Sequence, residues 1–413
     1  MKEMVKRSQK CLICRNKKLV NYLDLGKQAL VNSYIEKKDL KKRENKFSLK
    51  VSYCPECHLV QLTDIVDRNL LFKRYAYFTS SSEPLVKYFQ EYAENVKKKF
   101  PKQSSGFVFE IASNDGILLR NFKKSKKILG IEPAKNIAKL ANKEGIKTLP
   151  IFFNPKNVGG IIEKYGKADI IFANHVVAHT GDPHSLVAGV KKLLSNTGVF
   201  IFEVQYIGDL IKNNEFDNTY HEHACYFSLA PLSTLLSKYD LQIFDVEKVS
   251  AQGGSIRVYA RHNNLNIKVQ NIVKRLLEEE KKAKLHDIKT YKDFSKKPEL
   301  IKKEIRELLL KFKKEGKKIA GYGAPAKGNT LLQFCDIDNK IIDYTIDTTP
   351  FKQNKYTPGT HIPIYDRDYM DKNMPDYILL LAWNYSDYIL EKEKELRKKG
   401  VKFIKPIPKL EIL

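Results

Sequence analysis

Two cysteine pairs, Cys11-Leu12-Ile13-Cys14 and Cys54-Pro55-Glu56-Cys57, constrain this chain more than any other feature. A two-residue spacing lets one reverse turn aim both thiolates at a single ion, and two such turns complete a tetrahedral zinc site. A four-thiolate site is closed to water and substrate, so it supplies folding free energy rather than chemistry. The spacing predicts Cys11, Cys14, Cys54 and Cys57 as ligands of a structural zinc in a small N-terminal module. Two disulfides or a redox dithiol would use the same pairs, and His58 could replace Cys57. The segments VNYLDLGKQALVNSYI and FSLKVSYC between the pairs suit a strand-rich zinc ribbon with an excursion.

A chain of 413 residues exceeds one hydrophobic core and predicts two or three domains. No apolar run is long enough to cross a bilayer and no signal segment precedes the first cysteine pair, so a soluble, cytoplasmic protein with no membrane partner is expected. Metal-type thiol pairs beside scattered Cys225 and Cys335 agree with a reducing compartment. The formal charge is +26, from 74 basic and 48 acidic residues. The lysines are spread in short groups along the whole chain, which reads as solvated helix faces and attraction for a phosphorylated small molecule, not as a nucleic-acid surface.

After the second knuckle, YAYFTSSSEPLVKYFQEYAENVKKKF passes from aromatics through a Ser/Thr cap into a helix with Leu85, Tyr88, Phe89 and Tyr92 on one face. From Gly106 short apolar runs alternate with helical patterns, predicting a parallel sheet covered on both faces. A second alternating region starts at KKIAGYGAPAKGNTLLQF. The charged helical stretch between them lacks sustained heptads and is expected to pack as a surface element. The fold class is therefore α/β: a Rossmann-like domain flanked by the zinc module and a second Rossmann-like domain, with divisions at 1–90, 91–265 and 266–413.

Open α/β sheets bind ligands beyond the carboxyl ends of their strands. FVFEIASNDGILL runs strand, small polar turn with Gly116, then helix, and the next strand, ILGIEP, ends in Glu132, placed to take two ribose hydroxyls. The loop lacks a GxGxxG phosphate cradle, which favours S-adenosylmethionine over NAD. Asn174-His175-Val176-Val177-Ala178-His179 and Tyr220-His221-Glu222-His223 follow later strands and fall on the same side of the sheet. Buried structural imidazoles and a chelating His-x-His metal site are two readings. General acid/base chemistry is the third, and Tyr-His-Glu-His holds the imidazole, carboxylate and phenol it uses.

Through Cys11-x-x-Cys14 with LDLGKQALVNSY, CPECHLVQL, YAYFTSSS, EIASNDG, GIEPA, FANHVVAHTGD, FDNTYHEHACYFSL, QGGSIRVYA and GYGAPAKGNTLL, the chain resembles nucleotide-sugar C-methyltransferases across nearly its whole length. Ala112 departs from the pattern, standing where the family carries glycine. The resemblance implies His223 as the base, with Tyr220, Glu222 and His179 around the reacting carbonyl. It places Tyr75 or Tyr77 near the cofactor or sugar, and assigns Glu110, Asn114, Asp115, Gly116, Glu132 and Asn174 to S-adenosylmethionine. Lys327 and Asn329 would meet the nucleotide diphosphate. It implies C-methylation beside the ketone of a nucleotide-linked 4-keto-sugar, at C3, by a monomer or small homo-oligomer. Sugar O- or N-methylation, a basic RNA methyltransferase and a zinc-ribbon adaptor are the competing classes.

Overall fold

The computed structural model describes residues 4–72, 79–81, 83–265 and 267–413, so Tyr75 and Tyr77 lie outside the described residues. Its central sheet contains β1 (Phe107–Ile111), β2 (Lys127–Ile131), β3 (Thr148–Leu149), β4 (Ala168–Phe172), β5 (Leu194–Gln205), β6 (Leu241–Val249) and β7 (Ser255–His262). The spatial order is 3-2-1-4-5-7-6, parallel through β5 and antiparallel at β7. All five residues of β1 are buried because both faces are covered. Phe107, Phe109 and Ile111 share one core with Val158 and Val190 from two helices, Pro155–Tyr165 and Pro183–Leu193. Val108 points the other way, into a core with Phe89, Tyr92 and Val96 of helix Glu83–Lys99. Strand order reverses between β1 and β4, which opens a crevice at their carboxyl ends.

A second open sheet comprises Ile319–Tyr322, Tyr344–Ile346, Ile364–Tyr365, Tyr377–Leu380, Lys402–Lys405 and Glu411–Ile412. Counted in chain order these lie 3-2-1-4-5-6, with the last strand antiparallel. Helices Asn271–Lys282, Ile288–Phe294 and Lys297–Lys314 join the two sheets. They pack, as expected, rather than coil. Buried Glu280 accepts the Leu229 and Ala230 amides at 2.6 and 3.3 Å, and Tyr291 stacks on Tyr53 of the zinc module with ring centroids 4.8 Å apart.

The cysteine pairs build two equivalent turns. Arg15 N–H donates to Cys11 O at 3.2 Å and His58 N–H to Cys54 O at 2.9 Å, and Arg15 and His58 turn back through φ of +67° and +63°. The four sulfurs lie within 4.8 Å of one another and none is bridged. Zn–S bonds of about 2.3 Å in a tetrahedron separate sulfurs by about 3.8 Å, so the donor set fits zinc. His58 stands outside the cluster: its Nδ1 bonds Tyr53 Oη at 2.7 Å and its ring stacks on His286.

The zinc module is not an appendage. Its sheet of Val20–Ala29, Lys46–Tyr53 and Val60–Leu62 is completed by Cys225–Tyr226, which directly follows the Tyr220–His223 segment. Among the described residues no helix is long and apolar enough to cross a membrane.

Metal analysis should find about one zinc per chain, and Cys54→Ser should lower stability by several kcal/mol. Because the zinc sheet carries the segment after His223, chelation should also abolish turnover while S-adenosylhomocysteine still binds. A metal-free wild type with full activity is the contrary result.

Candidate active site

A cavity of about 1270 Å³ runs from the β1 and β4 ends to the end of strand Ile319–Tyr322, so both open sheets face it. On the central-sheet side the chain leaves β1 through left-handed backbone at Ala112, Asn114 and Gly116, with φ of +53°, +48° and +77°. Asparagine and glycine tolerate that region, and a Cβ on Gly116 would also stand 2.8 Å from Ile146 Cγ2. Glu132 Oε2 accepts the Asn114 amide at 3.1 Å and Oε1 the Ala134 amide at 2.8 Å. Burial nevertheless pushes its carboxyl up to about 7. The Thr79 and Ser80 amides donate to Asn114 Oδ1 and Asp115 Oδ2 at 3.1 and 3.0 Å, bringing the segment after the zinc module onto the same loop.

Glu110, Asn114, Glu132 and Asn174 line the cavity, while Asp115 and Gly116 shape the turn behind it. Among the described residues, Glu110 Oε2, Asp115 Oδ1 and Asn174 Nδ2 are buried without a hydrogen-bond partner in good geometry. Burial, with Asp115 close by, holds the Glu110 carboxyl well above its usual range. A wall of carboxyl and amide groups with no glycine-rich phosphate cradle fits S-adenosylmethionine, whose hydroxyls and ammonium donate hydrogen bonds.

Opposite that wall, His223 N–H donates to Tyr220 O at 2.9 Å and closes a turn. The turn brings the Tyr220 and His223 rings together, centroids 4.0 Å apart, with His179 at 4.9 Å from His223. His223 Nδ1 bonds Asn218 O at 2.8 Å, so Nδ1 carries the proton and Nε2 the lone pair. Burial drives the His223 pKa well below its usual value, and that of His179 to about 3, so both rings are neutral. The two residues at the tip of the turn diverge. His221 Nε2 donates to Phe47 O at 3.2 Å, and Glu222 Oε1 accepts from Asn32 Nδ2 at 2.6 Å. His221 and His223 therefore do not chelate together.

From the far sheet, Lys327 reaches the cavity, but its ammonium bonds Glu215 Oε2 at 3.0 Å and lies over the Trp383 ring. Asn329 does not reach it. Fully buried, it donates Nδ2 to Val31 O at 2.8 Å, because its position on helix Ala326–Phe334 faces the zinc module.

The chain matches family models for a zinc binding domain (residues 11–72), a methyltransferase domain (86–246) and a C-methyltransferase C-terminal domain (250–408). It is 33% identical over 414 residues to the C-methyltransferase NovU of Streptomyces niveus, covering 100% of this chain and 99% of that one. The chain belongs to the C-methyltransferase family. Among solved structures, an S-adenosylmethionine-dependent methyltransferase from Clostridium acetobutylicum ATCC 824 aligns at 15% identity, covering 42% of this chain and 91% of that chain, with a TM-score of 0.34. Magnesium protoporphyrin IX methyltransferase from Synechocystis PCC 6803 aligns at 12% identity, 41% and 82% coverage and a TM-score of 0.33.

This C-methyltransferase also holds groups that its motifs did not reveal. Glu203, fully buried on β5, accepts from Arg257 Nε at 2.8 Å and Tyr88 Oη at 2.7 Å and faces His175 Nε2 at 3.6 Å. Arg257 stacks over Tyr92, whose hydroxyl donates to Asn174 Oδ1 at 3.2 Å. This network braces the Asn174 side of the cavity from behind. The signal was present as charged residues inside apolar strand runs, FIFEVQ and SIRVYA, where an unpaired charge is not tolerated.

The left-handed φ at Ala112 should make Ala112→Gly more stable, by about 0.5–1 kcal/mol in chemical denaturation, since the strain removed exceeds the glycine entropy cost. If Glu132 takes the ribose hydroxyls as expected from the sequence, they donate best to its ionised form, which protonates as pH falls through about 7. S-adenosylhomocysteine affinity, followed by calorimetry, should therefore weaken below that pH. Glu132→Gln should bind weakly at every pH and lose the dependence.

Proposed function

We propose that this C-methyltransferase methylates the carbon beside the ketone of a nucleotide-linked 4-keto-sugar, at C3. The observation that carries the reading is His223, a buried neutral imidazole whose Nδ1 is tied to a backbone carbonyl so that Nε2 carries the lone pair, in a cavity that both open sheets face. A ring carbon bearing only hydrogen is no nucleophile. Beside a ketone its proton can be removed and the charge spread onto oxygen. His223 Nε2 takes that proton, and burial keeps water from competing for the base. Neutral His179 and the Tyr220 phenol supply hydrogen bonds to the enolate oxygen, each worth about 3 to 4 kcal/mol if well placed. S-adenosylmethionine, when bound, supplies an electrophilic methyl group on a sulfonium. Glu110, Asn114, Glu132 and Asn174 hold it, with Asp115 and Gly116 shaping the loop, and Tyr75 or Tyr77 completes the proposed contacts to cofactor or sugar.

The nucleotide reading rests on the far sheet. Gly321-x-Gly323-x-x-Ala326 begins within its first strand and runs to the start of the following helix, and the order reverses at that strand, as in dinucleotide folds. A Cβ on Gly321 would stand 2.7 Å from Thr345 Oγ1, and Gly323 has φ +85°. Amides at the start of helix Ala326–Phe334 suit a diphosphate, with Lys327 beside them. Asp347, at the end of the second strand, is occupied by Lys352 Nζ at 2.9 Å and the Ala324 amide at 2.8 Å, so it braces the loop. We divide the chain at 1–90, 91–265 and 266–413, with Cys225–Tyr226 lent to the first part. We place the reaction in the cytoplasm, in keeping with six unbridged cysteines.

His223→Asn should retain S-adenosylhomocysteine and nucleotide-sugar binding yet lose turnover by on the order of 10² or more. Wild type with S-adenosylhomocysteine should exchange the proton beside the ketone with solvent deuterium, as should His221→Asn, whereas His223→Asn should not. Full turnover by His223→Asn would move the base to His179 or Tyr220. Methylation of a sugar without a ketone would move the reaction to oxygen or nitrogen.

A further inference from the structure

Segment Ala29–Tyr34 of the zinc module is wedged between the turn that carries His223 and the far sheet. Gln333 clamps Ala29 through both of its side-chain groups, Oε1 accepting the Ala29 amide at 2.7 Å and Nε2 donating to Ala29 O at 3.3 Å. Val31 O accepts from Asn329, and Tyr34 donates its hydroxyl to Ala324 O at 2.6 Å. Between these fixed points Asn32 lines the cavity and directs its amide into the Glu222 carboxylate at 2.6 Å, across 190 residues of sequence. Among the described residues the side-chain hydrogen bonds of Asn32 go to Glu222 and Tyr34, and the reaction assigned to the site gives it no role.

We propose that Asn32 is a positioning residue that holds Glu222 as an oriented anion beside the base His223. The inference rests on the reading of His223 as the base. A carboxyl group enclosed in a protein wall tends to take up a proton, and an N–H donated to its oxygen favours the charged form instead. Such charge-assisted bonds are short and strong, in keeping with the 2.6 Å separation. A fixed anion next in sequence to His223 lowers the cost of forming an imidazolium when the ring takes the substrate proton. Among the described residues, the groups facing Glu222 and its turn include the phenol of Tyr34, the Lys352–Asp347 pair beside that phenol, His221 and His223, and Lys327, which faces His223 and is bound to Glu215. Asn32 thereby gives the zinc module a share in the chemistry without touching the reacting atoms.

The test is a titration of the Glu222 carboxyl by infrared difference spectroscopy, its band assigned by loss in Glu222→Gln, alongside pH profiles of kcat/KM. Asn32→Asp places a second carboxylate at the same spot, and two carboxylates at hydrogen-bond distance share one proton. The Glu222 midpoint should rise by about one pH unit or more, and the acid limb of kcat/KM should move up with it. Asn32→Leu, of similar volume but with no donor, should also raise the midpoint and lower kcat by on the order of tenfold. S-adenosylhomocysteine affinity should stay at the wild-type value in both. An unmoved midpoint in both variants, a wild-type kcat in Asn32→Leu, or a cofactor affinity that falls in step with turnover would each overturn the proposal. If wild type moves no methyl group onto 4-keto nucleotide sugars, the assigned reaction fails, and the infrared titration still decides the role of Asn32.

Discussion

The pairing of Val60–Leu62 with Cys225–Tyr226 is the contact on which the site depends. One partner lies three residues after the second zinc turn, and the other two residues after His223. Leu62 N–H donates to Ala224 O at 3.0 Å, so the ladder reaches the residue adjoining His223. A metal-free module would lose the turn that starts Val60–Leu62, and the segment holding His223 would lose its partner strand. The zinc is closed to substrate, yet its free energy of binding is spent on a loop where the reaction is assigned. The cysteine turns and the His223 loop are thus coupled through backbone hydrogen bonds.

Burial sets the electrostatic character of the cavity. The His179 and His223 imidazoles are neutral because desolvation disfavours the cation, and desolvation pushes the Glu110 and Glu132 carboxyls upward, in Glu132 even against two amides. Glu203 is the counterexample: Arg257, His175 and Tyr88 keep it ionised at zero exposure. A charged pair of that kind costs desolvation and is poor evidence of stability. What it provides is a rigid backing for Asn174 and for the aromatic face of helix Glu83–Lys99.

Much of this architecture was legible because it is local. Cysteine spacing needs only one turn, and alternating apolar runs report a covered parallel sheet wherever they occur. The glycine turn after β1 and the acid ending β2 are likewise read from a few neighbouring residues, and the left-handed angles at Asn114 and Gly116 explain why those residue types stand there. Ala112 is the local exception, an L residue with a side chain in a conformation glycine prefers.

The sequence by itself determined the zinc turns, the two open sheets and the loops that end in histidine, carboxylate and amide. Tertiary structure alone decided what those side chains meet. Lys327 and Asn329 share a helix two positions apart, yet helix geometry turns them to different neighbours: one to buried Glu215, the other to Val31. His221 and His223 differ in the same way, one bound to Phe47 and one to Asn218. Asn32 and Glu222 meet across 190 residues. No pattern in the chain encodes that distance, because long-range pairing is set by how three packed sheets bury their faces against one another, not by the spacing of residues along the backbone.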